Sequence, residues 1–582
     1  MTTRVVLAEV PVRRHRPRGL WRALTRPARW AALLAGAVPV LAFPDVNAEF
    51  LAWFGLVPGL LLIRRSPAGR EAAVRGWWLG AGYLLAALYW LVPNIGPALL
   101  LVAVVLGAPW AGLGYAAWRL LRPPGPGFRQ ALAALLVLPG CWVVGEWLRS
   151  WQGIGGPWAV LGASQWQHPV VLALAAVGGV WLISFVLVAA NAGLTAAITG
   201  AGMPARAVGA AGALLAVAAG PAAFALTSAE YSVPPAGHLS LALVQPGLET
   251  GRPPIATVNE GERLTLAIRG AGLIVWGESS VGFDLYADHA LLRRLMRLSA
   301  AVGTQLLVSQ DALSPAGAKS KVAVLIGPHG IEGTYTKSRL VPFGEYIPLR
   351  PVLGWLADIS RAAPVNMVPG HGAKVLHATL PGGRRLGFGV LICFESTFPD
   401  MSRYDADHGA QVLIYQTSDS TFQQSWAPQQ HASLAAVRAA EAGRPAVQAA
   451  LTGDTAAFDA RGRQLAWLGT SDRGVVRVRL ALPPASVRTP FDRYGDTVPA
   501  AAIAIVVVAA LARLNVPRLA RRGRFPWRPP SAGGNRVPGR GKDELSTPAP
   551  GAYWGKAGVP ARMDARVRLA RVRRRHAPEN GA

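Results

Sequence analysis

The chain has 582 residues, 52% of them hydrophobic and only 15% charged, with a mean hydropathy of +0.30. A soluble chain normally carries about 25% charged residues, so this deficit excludes an ordinary soluble protein and points to a membrane. The formal net charge of +28 does not indicate nucleic acid, because no RNA- or DNA-reading motif accompanies the basic residues and they gather where positive-inside topology and anionic headgroups place them.

Residues 1–29 carry Arg13, Arg14, Arg16, Arg18, Arg22, Arg26 and Arg29 and predict a basic, cytoplasmic N-terminal stretch. No small-residue cleavage site follows a short apolar core, so the stretch is not read as a cleavable signal peptide. Apolar runs long enough to span recur at about 30–45, 47–63, 76–93, 97–118, 131–148, 169–198 and 207–228, and residues 30–228 therefore predict a membrane domain of about seven spans. Only Pro44 and Asp45 separate the first two runs. In this scheme the inside loops are the basic ones, with Arg64, Arg65, Arg70 and Arg75, then Arg119, Arg122 and Arg129, then Arg206. That distribution puts the chain after residue 228 outside the cytoplasm.

Between 238 and 485 the charges return and short β-type runs alternate with helical patterns. Candidate strands lie at 239–245, 272–278, 304–310, 321–327, 385–395, 410–418 and 474–482, with helices at 285–302 and 428–443. The alternation predicts a layered α/β domain. The run VPAAAIAIVVVAALA precedes Arg513, Arg518, Arg521, Arg522 and Arg524 and predicts a short closing span over 498–514, which returns the chain to the cytoplasm. Residues 515–582, rich in Pro, Gly and Arg, read as a disordered basic cytoplasmic tail.

Three residues of the α/β region sit at or just after apolar runs. Cys393 ends GFGVLIC and is followed by Phe394 and Glu395; alone it reads as a buried small hydrophobe or as a nucleophile at a sheet edge. Glu278 ends LIVWGE, beside Trp276, as a turn residue or a general base. The neighbouring GESSVG lacks the G-x-S-x-G spacing of a serine nucleophile elbow. Lys337, in TYTKSRLVPFGEYIP, is a surface lysine or a fixed ammonium for an oxyanion. The other cysteine, Cys141, lies in an apolar run, and neither a disulfide nor a metal-ligand spacing is visible.

In the order Glu, Lys, Cys these residues resemble the nitrilase superfamily, whose αββα sandwich carries such a triad. TKSRLVPFGEYIP, EWLRSWQGIGGPW (146–158) followed by LGASQ, QHASLAAVRAAEAGRP (430–445) and TPFDRYGD (489–496) are similar to segments of the apolipoprotein N-acyltransferases, the membrane-embedded branch. The likeness covers roughly 30–513, and soluble nitrilases lack EWLR with GGPW. The resemblance implies a polytopic α-helical membrane domain of about eight spans plus an extracytoplasmic α/β nitrilase-like αββα sandwich. It implies Glu278 as general base, Lys337 as oxyanion stabiliser, Cys393 as nucleophile, and Glu345 and Glu395 as supporting residues. It implies a phospholipid acyl donor, a diacylated apolipoprotein acceptor, a thioester intermediate and no cofactor or metal. Substrate-binding residues and oligomeric state are not specified. Gly277, where the family has Pro, Phe394, where it has Tyr, SDSTFQQ (418–424) and Thr452–Gly453–Asp454 depart from its pattern and bear on donor and acceptor preference. Rival readings are a membrane-tethered amidase that uses water as acceptor, and an inactive transporter or scaffold.

Overall fold

The computed structural model describes residues 26–228, 234–247, 253–313, 317–355, 357, 363, 365–422 and 424–514. Most of the expected basic N-terminal stretch and the expected tail at 515–582 lie outside the described residues.

The N-terminal half is helical: α1 (Pro27–Ala37), α2 (Val57–Arg64), α3 (Gly69–Ala87), α4 (Ala98–Gly107), α5 (Ala111–Leu121), α6 (Phe128–Arg149), α7 (Pro169–Thr199) and α8 (Met203–Ser228). Four helical stretches, Ala98–Leu121, Phe128–Arg149, Pro169–Thr199 and Met203–Ser228, are long and apolar enough to cross a membrane. A fifth is formed if Gly69–Ala87 and Tyr89–Ile95, bent by 60°, count as one. Among the described residues the number of full-length spans is thus four or five, not the eight expected. The expected spans at 30–45 and 47–63 fold instead as the short apolar stretch Pro27–Ala42, a 3-10 turn over Glu49–Trp53, and the eight-residue α2. A helix rises 1.5 Å per residue, so neither piece reaches the roughly 30 Å of a hydrocarbon core. Pro44, Gly55 and Pro58 interrupt what hydropathy alone reads as continuous,.

The second half is a sandwich of two six-stranded sheets. One has the order β12-β1-β2-β3-β4-β5: β1 (Gly237–Gln245), β2 (Leu273–Trp276), β3 (Leu306–Leu313), β4 (Lys319–Gly327), β5 (Gly330–Thr336) and β12 (Gly474–Leu482). The other has the order β11-β10-β9-β8-β7-β6: β6 (Val375–Thr379), β7 (Arg385–Ile392), β8 (Val412–Thr417), β9 (Ala446–Ala450), β10 (Thr455–Phe458) and β11 (Gln464–Leu468). β1–β2–β3 and β7–β8–β9 are parallel at the centre of each sheet, and the flanking pairs are antiparallel.

Strand periodicity sorts the side chains into layers. Leu241 and Leu243 face the second sheet's Phe388, Val390, Ile414 and Val447, while Ala242 and Val244 face the opposite way into a separate core. That outer core is closed by α9 (Pro254–Leu266) and α10 (His289–Val302), through Val258, Leu291 and Leu295. The second sheet is covered by α11 (Pro399–Asp407) and α12 (Ala427–Ala442). α12 is buried along nearly its whole length because its far side rests on α7. The joint is specific. α7 breaks at Gly178 and Gly179, and Glu441 Oε1 of α12 accepts the backbone N–H of Val180 at 2.7 Å. A buried N–H released by a helix break needs such a partner. The closing helix α13 (Thr497–Leu514) packs against α6 and α7.

Candidate active site

Three strand ends converge. Cys393 follows β7 directly and opens a 3-10 turn, Cys393–Thr397, with a left-handed φ of 53°. A non-glycine residue held there costs on the order of 1–3 kcal/mol, and the result is a sharp elbow that lifts the thiol off the sheet. Glu278 lies two residues past β2, and Lys337 follows β5 directly. Gly277 packs so tightly on β9's exit that a Cβ would come within 2.1 Å of the Leu451 nitrogen; the absent side chain at this position is a steric requirement of the fold.

The Lys337 ammonium is fully buried and lies 3.2 Å from Glu278 Oε1 and 2.7 Å from Glu345 Oε1. Glu345 Oε2 in turn accepts the Val341 N–H at 2.8 Å. Burial acts against the charge on Lys337, but Glu278 and Glu345 outweigh it and hold the ammonium protonated well above its ordinary range. Burial pushes the Glu278 carboxyl up, yet Lys337 and then Lys321 pull it below its ordinary value. Cys393 is partly exposed as a residue, but its thiol is enclosed; that burial, and next the Glu278 carboxylate, push it well up. The resting arrangement is therefore a neutral thiol whose nearest charges are an ionised carboxylate and a fixed cation. This pairing suits proton abstraction from sulfur and stabilisation of an oxyanion.

Glu395 is entirely buried and ties the two loops together. Its Oε1 accepts from Tyr335 Oη at 2.7 Å, from Ser338 N at 2.7 Å, from Ser338 Oγ at 2.9 Å and from Arg339 N at 3.0 Å, while its Oε2 accepts from Ile392 N at 2.8 Å. The residues beside Lys337 and the residue before Cys393 thus share one carboxylate. All five sequence-predicted residues come together: Glu278, Lys337, Cys393 and Glu345 at the site itself, and Glu395 beneath it.

The structure adds neighbours that sequence reasoning did not single out. His431, at the start of α12, faces Asp419 Oδ1 at 3.0 Å through Nδ1, and the Cys393 carbonyl at 3.1 Å and Ser396 Oγ at 3.0 Å through Nε2. Lys321 pairs with Asp311 at 2.8 Å and also touches Ser279, which itself donates to Asp311 at 3.0 Å. Ser279 is thereby engaged away from the elbow. The only signal for His431 and Asp419 was their presence in 430–445 and 418–424, segments marked by likeness and departure rather than by any pattern of their own.

The membrane half also reaches the site. Arg149 donates to the carbonyls of Trp158 at 2.5 Å and Ala159 at 2.8 Å, and Glu146 accepts the Leu161 N–H at 2.7 Å. So anchored, the GGPW loop brings Gly156, φ 68°, against the rings of Phe394 and Phe398, and Trp158 edge-on to His431 at 5.2 Å. Among the described residues there is no group of three or more His, Cys, Asp or Glu side chains able to hold a metal ion.

Two family models match the chain, the apolipoprotein N-acyltransferase N-terminal domain over residues 35–193 and carbon-nitrogen hydrolase over residues 253–485. A protein from Geobacter metallireducens named apolipoprotein N-acyltransferase is 30% identical over 517 residues, 83% of this chain and 94% of its own. One of the same name from Rhodopseudomonas palustris is 30% identical over 536 residues, 84% of this chain and 95% of its own. Among solved structures, an amidase from Nesterenkonia sp. AN1 aligns with TM-score 0.32 and 21% identity over 46% of this chain and 97% of that one. With relatives matched from the first membrane helices to the last strands of the sandwich, the chain belongs to the apolipoprotein N-acyltransferase family.

Proposed function

We propose that this chain moves a fatty acyl group from a membrane phospholipid, through a thioester on Cys393, to the N-terminal α-amino group of an S-diacylglyceryl-cysteine on an apolipoprotein, giving the triacylated lipoprotein. The observation that carries the reading is the buried ammonium of Lys337 held between Glu278 and Glu345 behind the Cys393 elbow, in a chain whose relatives bear that enzyme's name.

In the first half-reaction Glu278 takes the thiol proton as sulfur attacks the ester carbonyl. Lys337 and a backbone N–H beside Cys393 hold the tetrahedral oxyanion. The carbon–oxygen bond breaks, the glycerol oxygen takes the proton back from Glu278, and a lysophospholipid leaves. In the second, the acceptor amine attacks the thioester, the carbon–sulfur bond breaks, and the amine's proton returns by Glu278 to sulfur. The amide formed is more stable than the thioester, which gives the transfer its direction.

The membrane half keeps both lipids in their own solvent. Extracting an acyl chain into water costs about 0.8 kcal/mol per CH₂, a penalty avoided when the elbow is packed against a membrane-anchored loop. In this reading the sandwich lies on the extracytoplasmic side and both ends of the chain are cytoplasmic, as the arginine distribution favours.

The test incubates membranes with a phospholipid carrying a labelled acyl chain and looks for label on the protein that hydroxylamine removes. A synthetic diacylated lipopeptide is then added. Label passing to the lipopeptide amine is the expected result; release as free fatty acid indicates an amidase-like hydrolase instead. Normal labelling of Cys393→Ser would sink the mechanism.

A further inference from the structure

Beneath the elbow lies a charged pair that the acyl-transfer steps do not use. His431 is buried, and each ring nitrogen faces an acceptor: Nδ1 meets the Asp419 carboxylate at 3.0 Å and Nε2 meets the Cys393 carbonyl at 3.1 Å. Nε2 also lies 3.0 Å from the Ser396 hydroxyl, which can donate or accept, but a bare Nε2 would set its lone pair against the Cys393 carbonyl oxygen; with the Asp419 carboxylate on Nδ1, this arrangement is met by the imidazolium. Burial alone would drive that charge off, but Asp419 outweighs it and raises the ring's pKa above its ordinary value. Trp158 of the membrane loop closes one side of the ring.

The carbonyl that His431 grips belongs to a peptide unit whose other end is the Phe394 N–H. A trans peptide is planar and its C=O and N–H point in opposite directions. Fixing the carbonyl from below therefore fixes the direction of the N–H above. The neighbouring residues need such a clamp, because Cys393 is held at a left-handed φ that its side chain disfavours,. Glu395 secures the Leu391–Ile392 peptide through Ile392 N; His431 secures the Cys393–Phe394 peptide through its carbonyl.

We propose that Asp419 and His431 are positioning residues that aim the Phe394 N–H at the oxyanion formed on the acyl carbon. The imidazolium also polarises the gripped carbonyl and so strengthens the N–H of the same unit as a donor. This rests on the acyl-transfer reading above and deepens it. It separates two demands on one elbow: Glu278 governs the sulfur, and the Asp419–His431 pair governs the oxyanion donor.

The test uses the full chain in mixed phosphatidylethanolamine–phosphatidylglycerol micelles with labelled acyl chains, and compares two reactions of Cys393. Thioester formation passes through an oxyanion. Alkylation by iodoacetamide, scored against a Cys393→Ser background, displaces iodide at a saturated carbon and does not. Losing an oxyanion donor outright costs about 10²–10³-fold, so His431→Ala, which misaims one, should slow thioester formation by about 10–100-fold and leave alkylation within about twofold. His431→Gln places an amide N–H near the former Nε2 and should recover most of the loss. Asp419→Asn keeps an acceptor without the charge and should fall between. Equal slowing of alkylation and thioester formation overturns the proposal, since the pair then serves the thiol or the fold. Wild-type thioester rates in His431→Ala and Asp419→Asn overturn it as well. Absence of label on the wild-type protein, with alkylation intact, overturns the acyl-transfer reading itself and the proposal with it.

Discussion

The Lys337 ammonium lies closer to Glu345, at 2.7 Å, than to Glu278, at 3.2 Å. Glu345 is thus the principal counter-ion, and it draws the cation off the carboxylate that accepts the thiol proton in the proposed mechanism. Its second oxygen is fixed by Val341 N, so it cannot follow the lysine. Glu345→Ala leaves Lys337 to collapse onto Glu278 and should slow thioester formation about 100-fold, in the range of losing an oxyanion donor. Glu345→Gln keeps an acceptor for Lys337 and should retain more activity, though its amide replaces one acceptor near Val341. Equal rates in wild type and Glu345→Ala, measured in single-turnover labelling, would show the lysine is positioned without it.

Glu395 predicts an unusual substitution pattern. Its two oxygens together take five donors. Glutamine turns one of those oxygens into a donor, and in either orientation it then faces a backbone N–H left without its acceptor, that of Ile392 or those of Ser338 and Arg339,. A buried unsatisfied group costs about 1–3 kcal/mol, so Glu395→Gln should lower the thermal midpoint nearly as far as Glu395→Ala, despite being isosteric. Thermal unfolding in detergent reads this directly. A Glu395→Gln protein as stable as wild type would mean the donors are satisfied otherwise.

The strands that the sequence made visible are those with bulky, β-branched runs, such as KVAVLIG in β4 and GVVRVRLAL in β12. The five it hid have other compositions. β9 is AVQAA, held in the sheet by its buried place between β8 and β10 rather than by propensity, and β5 is GIEGTYT, broken up by glycines,. Hydropathy also overcounted spans, because it does not register that Pro44, Gly55 and Pro58 cut the first apolar stretch into pieces shorter than a bilayer. At the site, Glu278, Lys337 and Cys393 were each ambiguous in their own segments and became legible only through their order and the family-like segments around them. His431 and Asp419 were not, since their meaning arises only when α12 is folded against the elbow, 38 residues from Cys393.

Gly156 links the membrane half to the elbow. A Cβ there would come within 2.8 Å of both Phe394 Cζ and Phe398 Cζ, and the backbone already has φ 68°. Gly156→Val adds bulk and left-handed strain together. A displacement of about 1 Å at a reacting centre can cost about 100-fold, and the phenyl ring moved belongs to the residue next to Cys393. The expected result is a loss of thioester formation by about 10–100-fold with membrane insertion and yield unchanged. Gly155→Val, at a neighbouring position where a Cβ meets nothing within 4 Å, shares the left-handed backbone without the collision. Equal losses in both variants would assign the effect to backbone strain alone.

The pH profile follows from the two lysines around Glu278. In the proposed mechanism its ionised form is the base, and Lys337 and Lys321 hold the carboxyl below its ordinary 4.5 in spite of burial. The acid limb of thioester formation should therefore lie below pH 4.5, with a level rate across the neutral range. The thiol adds no rise toward mild alkali, because burial and Glu278 keep it protonated well above its ordinary value. Lys321 is the cation that can be removed without disturbing the Lys337 contacts. Lys321→Met alone would strip Asp311 of its partner at 2.8 Å and leave a new negative charge nearby, so the cleaner protein is the Lys321→Met, Asp311→Asn double variant. Removing a nearby positive charge favours the protonated carboxyl. The acid limb must then move to higher pH, with the plateau rate little changed. Measured from pH 4 to 9 by single-turnover labelling, an unmoved limb would mean that Lys337 alone sets the base, and a limb moved to lower pH would contradict the charge arrangement altogether.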